Sequence, residues 1–198
     1  MFFTNLLNER SQGALLEQWE LEYGPIDEAA PVMPEAPSET AGEPSSVEVG
    51  DAYAVMWFER PAADERPVYA EPLSVVEGID PESLKLGPGH YPDTAAPGQP
   101  GNFAIAGHRT TYGAPFYDLD QIRSGDEIHV IDRDRQRWVY EVIESRVVLP
   151  HETWVIESDP LGRGRPILSL TTCEPRFSAE KRLMVFAELR EPTQAAAA

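Results

Sequence analysis

The sequence predicts an all-β domain closed into a barrel or sandwich, and three observations carry that reading. From about Val47 onward, short runs rich in β-branched and aromatic residues follow one another closely. Turn chemistry separates them: PGQPGN at 97–102, RSGD at 123–126, DRDRQ at 132–136 and LGRGRP at 161–166. The helical stretches between them, PESL (81–84) and PFYDLDQI (115–122), are too short to act as the crossovers of a parallel α/β sheet.

In chain order, residues 4–22 (TNLLNERSQGALLEQWELE) place Leu6, Leu7, Ala14, Leu15 and Trp19 near helical spacing. Pro25 stops the pattern and Gly13 weakens its middle, so an amphipathic helix is expected within residues 1–24. Residues 25–46 hold five prolines, no aromatic residue and no cation. Such a segment buries too little apolar surface to offset its ordering entropy, and it reads as an extended acidic linker. The strand-like runs are YAVMWF (53–58), LSVVEG (73–78), NFAIAG (102–107), DEIHVID (126–132), RWVYEVIESRVVL (137–149), PILSLTTC (166–173) and RLMVFAEL (182–189). They belong to one folded unit, residues 47–191, and residues 192–198 read as a disordered tail.

Charge narrows the function. The net charge is −18, with only Lys85 and Lys181 as lysines. Nucleic-acid binding needs clustered cations and is set aside; direct docking on an anionic membrane surface is opposed by the same repulsion. The single cysteine excludes an internal disulfide framework and any multi-thiolate metal site. No run of 18 apolar residues is present, and MFF is too short for a signal peptide.

That cysteine is the centre of the chemistry. Cys173 ends the run PILSLTTC, and Arg182 begins the next run nine residues later. Antiparallel pairing of the two runs brings both residues to one end of the domain. There a guanidinium can favour a thiolate or donate to an oxyanion. Alone, each residue has a plainer reading: a small buried hydrophobe for the cysteine, a solvated edge charge for the arginine. His108 ends the run NFAIAG in the same way, after Gly107. His90 lies in a Pro/Gly-rich stretch, His129 inside a strand and His151 after Pro150, and no two histidines stand at a metal-binding spacing.

Together, AGHRTTYGAPF and LSLTTCEPRFSAEKRLMVFAEL resemble the two signature segments of sortases, in particular the actinobacterial class E, and PGHYPDTAAPGQPGNFAIAGHR extends the match upstream. The resemblance covers roughly residues 47–191. It implies a closed eight-stranded sortase-type β-barrel with short helices, acting as a cysteine transpeptidase at the outer face of the membrane. By position, Cys173 is then the nucleophile, His108 the general acid/base and Arg182 the oxyanion or substrate-aligning residue. Tyr112 matches a tyrosine linked with class E substrate preference, and Thr110, Thr171 and Thr172 are placed with it in the substrate groove. The implied partners are secreted proteins with an LAxTG- or LPxTG-type signal, cut between Thr and Gly, and an amine of cell-wall precursor or pilin. A membrane anchor is expected upstream of Met1, the helix at 4–22 then being juxtamembrane.

The chemistry suits those residues. A thiolate is intrinsically nucleophilic and needs only partial ionisation. An imidazolium stabilises it and then protonates the leaving amine. Asp118 and Asp120 follow His108, but no triad is built from them. No motif implies a cofactor, and no calcium-loop signature is present. Trp154, in the stretch HETWVIESDPLGRGRP, is read as packing on the barrel. An L,D-transpeptidase would place His and Gly directly before the cysteine, where this chain has Thr171 and Thr172. The remaining alternative is a catalytically inactive sortase-like barrel that binds peptides.

Overall fold

The computed structural model describes residues 2–26, 48–61, 69 and 71–190, with side chains from Ser11 onward. The chain begins with helix α1 (Phe2–Tyr23). Then come β1 (Ala52–Glu59), β2 (Leu73–Glu77), α2 (Ser83–Leu86), β3 (Gly89–His90), β4 (Asn102–Ala106), β5 (Glu127–Asp132), β6 (Arg137–Val148), β7 (Ile167–Glu174) and β8 (Lys181–Leu189). Single 3₁₀ turns occupy Leu119–Gln121 and Thr153–Ile156. The expected linker lies outside the described residues from position 27 to its end, as does the expected tail.

The strands close into a barrel in the order β1-β2-β3-β4-β7-β8-β6-β5. All seven expected strands form within a residue or two of their predicted bounds. The eighth, β3, has only two residues and hides in the Pro/Gly-rich stretch, where no period can be read. Closure gives every strand two neighbours among the described residues, although β3 covers only Val76 and Glu77 of β2. Side chains alternate across the wall: Leu168, Leu170, Leu183, Val185 and Ala187 point into the main core with Phe103, Ile105 and Val130. Ile167, Met184 and Phe186 point outward, under the stretch that carries Val155 and Trp154. Trp154 thus packs on the barrel, its ring stacked 6.1 Å from that of Phe186. Asn102 ties the same stretch down: its amide nitrogen donates to the Val155 carbonyl (3.2 Å), and its amide oxygen accepts from the Ser169 hydroxyl (2.7 Å).

Helix α1 lies on the outside of β1 and β2. Its docked face is Gln12, Leu15, Leu16, Trp19 and Tyr23, an i, i+3, i+4, i+7 stripe. Trp19 is 1% exposed against Ala52, Val55 and Ile131, a burial worth about 3 kcal/mol. Ala14, expected on the apolar face, is exposed, because the stripe passes one residue to its side. The Gln12 amide donates to the carbonyls of Ser74 (3.1 Å) and Leu86 (2.8 Å) and accepts from the Ser74 N–H (2.9 Å). The DRDRQ turn meets the helix C-terminus. Arg135 donates to the Tyr23 and Pro25 carbonyls, where a cation also suits the helix dipole. In the PGQPGN turn, Gly98 has φ +74° and its N–H donates to the Tyr140 hydroxyl (2.7 Å). A Cβ there would strike the Trp138 ring at 2.4 Å.

Candidate active site

β7 and β8 run antiparallel with Cys173 and Arg182 as direct register partners. Directly paired residues leave a sheet on the same face, and these two extend the outward series of Thr171 and Met184. β4 runs parallel to β7, with Ala106 opposite Thr171. The pairing continues past the end of β4. The Gly107 N–H donates to the Thr171 carbonyl (3.0 Å), and the Thr172 hydroxyl donates to the Gly107 carbonyl (2.8 Å). His108 and Cys173 are therefore the next residues off two neighbouring strand ends. Gly107 makes this approach possible, since a Cβ there would meet the Phe116 ring at 2.5 Å.

Cys173 is a free, half-buried thiol. His108 is half-buried, and burial pushes its imidazole below the ordinary value. Its ring lies 5.0 Å from that of Tyr112, which sits in the left-handed region (φ 49°). The Lys85 ammonium is 6.0 Å from the Tyr112 ring centroid. Arg182 Nη1 donates to the carbonyls of Ala179 and Lys181, both at 3.0 Å, at the close of the β7–β8 loop. Thr110 is half-buried near His108 in the chain. Thr171 is buried, its hydroxyl donating to Met184 Sδ (3.1 Å). Thr172 is 2% exposed and faces the barrel interior, its hydroxyl committed to Gly107. That position offers the groove a strand tie rather than a free hydroxyl.

Sequence reasoning missed two residues. Tyr91 follows β3, and its N–H donates to the Ala104 carbonyl (3.0 Å). Burial raises its phenol, while a hydrogen bond with Thr171 and the charge of Arg182 pull the other way. The phenol thus faces the same strand ends as Cys173. Its only sequence signal was its place beside the hidden β3.

Arg109 is the second, with its side chain 2% exposed. Nε donates to the Tyr117 carbonyl (3.2 Å), and Nη1 donates to the Cys173 carbonyl (3.2 Å) and to the Glu174 carboxylate. Nη2 pairs with Asp120 at 3.1 Å. Arg176, at the start of the β7–β8 loop, pairs with Asp118 (3.0 Å) and Asp120 (2.9 Å). Asp118 and Asp120 thus serve two arginines that clasp the His108 segment to the end of β7.

With this geometry in place, comparison with known proteins identifies the family. Residues 67–190 match the model of the Sortase domain, more than half of the chain. The chain belongs to the sortase family. It is 36% identical to the solved sortase E of Streptomyces avermitilis, covering 76% of this chain and 97% of that one at a TM-score of 0.60. It is 33% identical over 159 residues to sortase SrtE1 of Streptomyces coelicolor. That match takes in 75% of this chain and 43% of the relative, so the chain spans less than half the length of that curated protein. A Clostridium perfringens sortase D5 transpeptidase matches at 25% identity and a TM-score of 0.69, over 91% and 99% of the two chains. The sortase E matches agree with the class E resemblance of the sequence.

Two other histidines of this sortase, His90 and His129, are held in structural contacts, and His151 is exposed. His90 Nδ1 lies 2.7 Å from a Glu77 oxygen and Nε2 lies 3.1 Å from the Thr94 hydroxyl, with the ring stacked on Tyr53. His129, Glu59 and Glu127 bring three potential metal-ligand atoms within 4.8 Å of one another. Their chemistry is that of an ion-pair network. Arg137 donates to His129 Nδ1, so the proton of a neutral ring sits on Nε2, 3.2 Å from Glu127. Arg190 pairs with Glu127, and Arg137 approaches Glu59. A cavity of about 290 Å³ opens at the other end of β8, lined by Arg163, Arg165, Glu188 and Arg190. It lies away from Cys173.

Proposed function

We propose that this sortase is a class E cysteine transpeptidase with Cys173 as nucleophile, His108 as general acid/base and Arg182 as oxyanion or substrate-aligning donor. The register pairing of Cys173 with Arg182 supports the reading, because an always-protonated side chain then starts directly across the ladder from the thiol, on the same face. In acylation the thiolate attacks the threonine carbonyl carbon of the sorting signal, and Arg182 donates to the oxygen that gains the negative charge. Collapse breaks the Thr–Gly bond. The glycine amine leaves with a proton from the His108 imidazolium. An amine then attacks the thioester, His108 takes its proton, and the thiolate departs. Thr110, Tyr112 and Thr171 border the substrate in this scheme. Thr172 shapes the groove through the backbone that it holds.

The clients are secreted proteins with LAxTG- or LPxTG-type signals, and the acceptor amine belongs to cell-wall precursor or pilin. The catalytic unit is residues 47–191, acting on the outer side of the cell membrane, with residues 25–46 as spacer. Among the described residues no helix is long and apolar enough to cross a membrane.

Intact-mass spectrometry after incubation with LAxTG- and LPxTG-type peptides tests the proposal. A thioester-sized adduct is expected on the wild type, stronger with the alanine peptide, and none on Cys173→Ala. Absence of any adduct, with a thiol that alkylates freely, would leave a peptide-binding barrel instead.

A further inference from the structure

We infer that Arg109 is a positioning residue for the Cys173 thiol: it holds the strand end that carries the nucleophile. The inference rests on the reading of Cys173 as nucleophile.

Three observations join here. Arg109 follows His108 in the chain, yet its Nη1 donates to the carbonyl of Cys173 itself (3.2 Å). One side chain therefore spans the two strand ends, alongside the Thr172–Gly107 bond. Next, the same Nη1 pairs with the Glu174 carboxylate, so one guanidinium nitrogen holds two consecutive residues at the end of β7. Finally, the arginine is almost fully buried while its partners are half-exposed, at 28% for Glu174 and 44% for Asp120. A buried guanidinium in an otherwise solvated ion network is costly to place. What it gains is its fixed fork, which meets a carboxylate and a carbonyl in one geometry. Lysine carries the same charge without that fork.

Kinetics of the intact protein test the geometric role. Arg109→Lys keeps the charge and loses the fork, and it is expected to lower kcat about tenfold with little change in KM. Formation of the peptide adduct on wild-type Cys173 tests the nucleophile reading separately, so failure of one is distinguishable from failure of the other. Full kcat in Arg109→Lys, or a loss confined to KM, overturns the positioning role. If Arg109→Lys does not fold, Glu174→Gln removes one anchor of the same guanidinium, and full kcat there overturns the role.

Discussion

Thr172 and Gly107, the residues immediately before Cys173 and His108, are joined by a 2.8 Å hydrogen bond from the Thr172 hydroxyl to the Gly107 carbonyl. This buried bond joins the Gly107 N–H and the Arg109 guanidinium in fixing how the two strand ends that carry the proposed nucleophile and acid/base stand to each other. Register alone brings β4 alongside β7; this bond extends the alignment beyond the last ladder position, where the chain turns away into the segment with Tyr112.

Thr172→Val keeps the shape of that side chain and removes its donor. It should cost about 1–2 kcal/mol in urea unfolding, since a buried carbonyl loses its side-chain partner. kcat should fall by about tenfold at nearly constant KM. A loss of stability with full kcat would make the bond purely structural.

Gly107→Ala tests the same junction by crowding. The added methyl group meets the Phe116 ring at 2.5 Å, and it can be housed only if the ring or the backbone before His108 moves. A destabilisation of about 1–3 kcal/mol is expected by thermal unfolding. Adding Phe116→Leu should recover part of it, and no recovery would place the strain elsewhere.

Burial sets the direction of the His108 titration. Desolvation disfavours the imidazolium, so the ring should titrate below about 6.5 by NMR. If it pairs with a thiolate, removing that partner in Cys173→Ala should lower the midpoint further. Equal midpoints would argue against an interacting thiolate–imidazolium pair. For stability the sign follows from the depressed value: the unfolded chain binds the proton more readily, so the His108 contribution to folding worsens as pH falls below about 6.5. Urea unfolding at pH 5 and pH 8, compared with His108→Gln, reads that difference.

Helix α1 is held by one amide as well as by Trp19. Gln12→Ala removes three hydrogen bonds, to both backbone groups of Ser74 and to the Leu86 carbonyl. A loss of about 2 kcal/mol is expected by urea unfolding. Helix detachment should show as faster amide exchange in β2. An unchanged unfolding curve would mean that water replaces the amide without cost.

Much of this protein was legible in its sequence. Short strand-like runs and the turn residues between them predicted seven strands, because run composition and turn chemistry are local properties of the chain. Cys173, His108 and Arg182 stood out because each falls at the end or start of such a run, and their residue types suit nucleophile, acid/base and fixed cation.

What tertiary structure decided is what depends on partners far apart in sequence. Alternation says that Thr171 and Thr172 face opposite ways, but only the β4–β7 register shows that Thr172 is the inward one and that Gly107 accepts its bond. Arg109 looked like part of a motif, and the fold made it the residue that reaches Cys173, 64 positions away. Gln12 carried no signal until β2 and α2 supplied backbone groups to satisfy it. Two-residue β3, and Tyr91 beside it, were hidden for a related reason: a strand too short to show a period exists only because its neighbours on both sides are already in place.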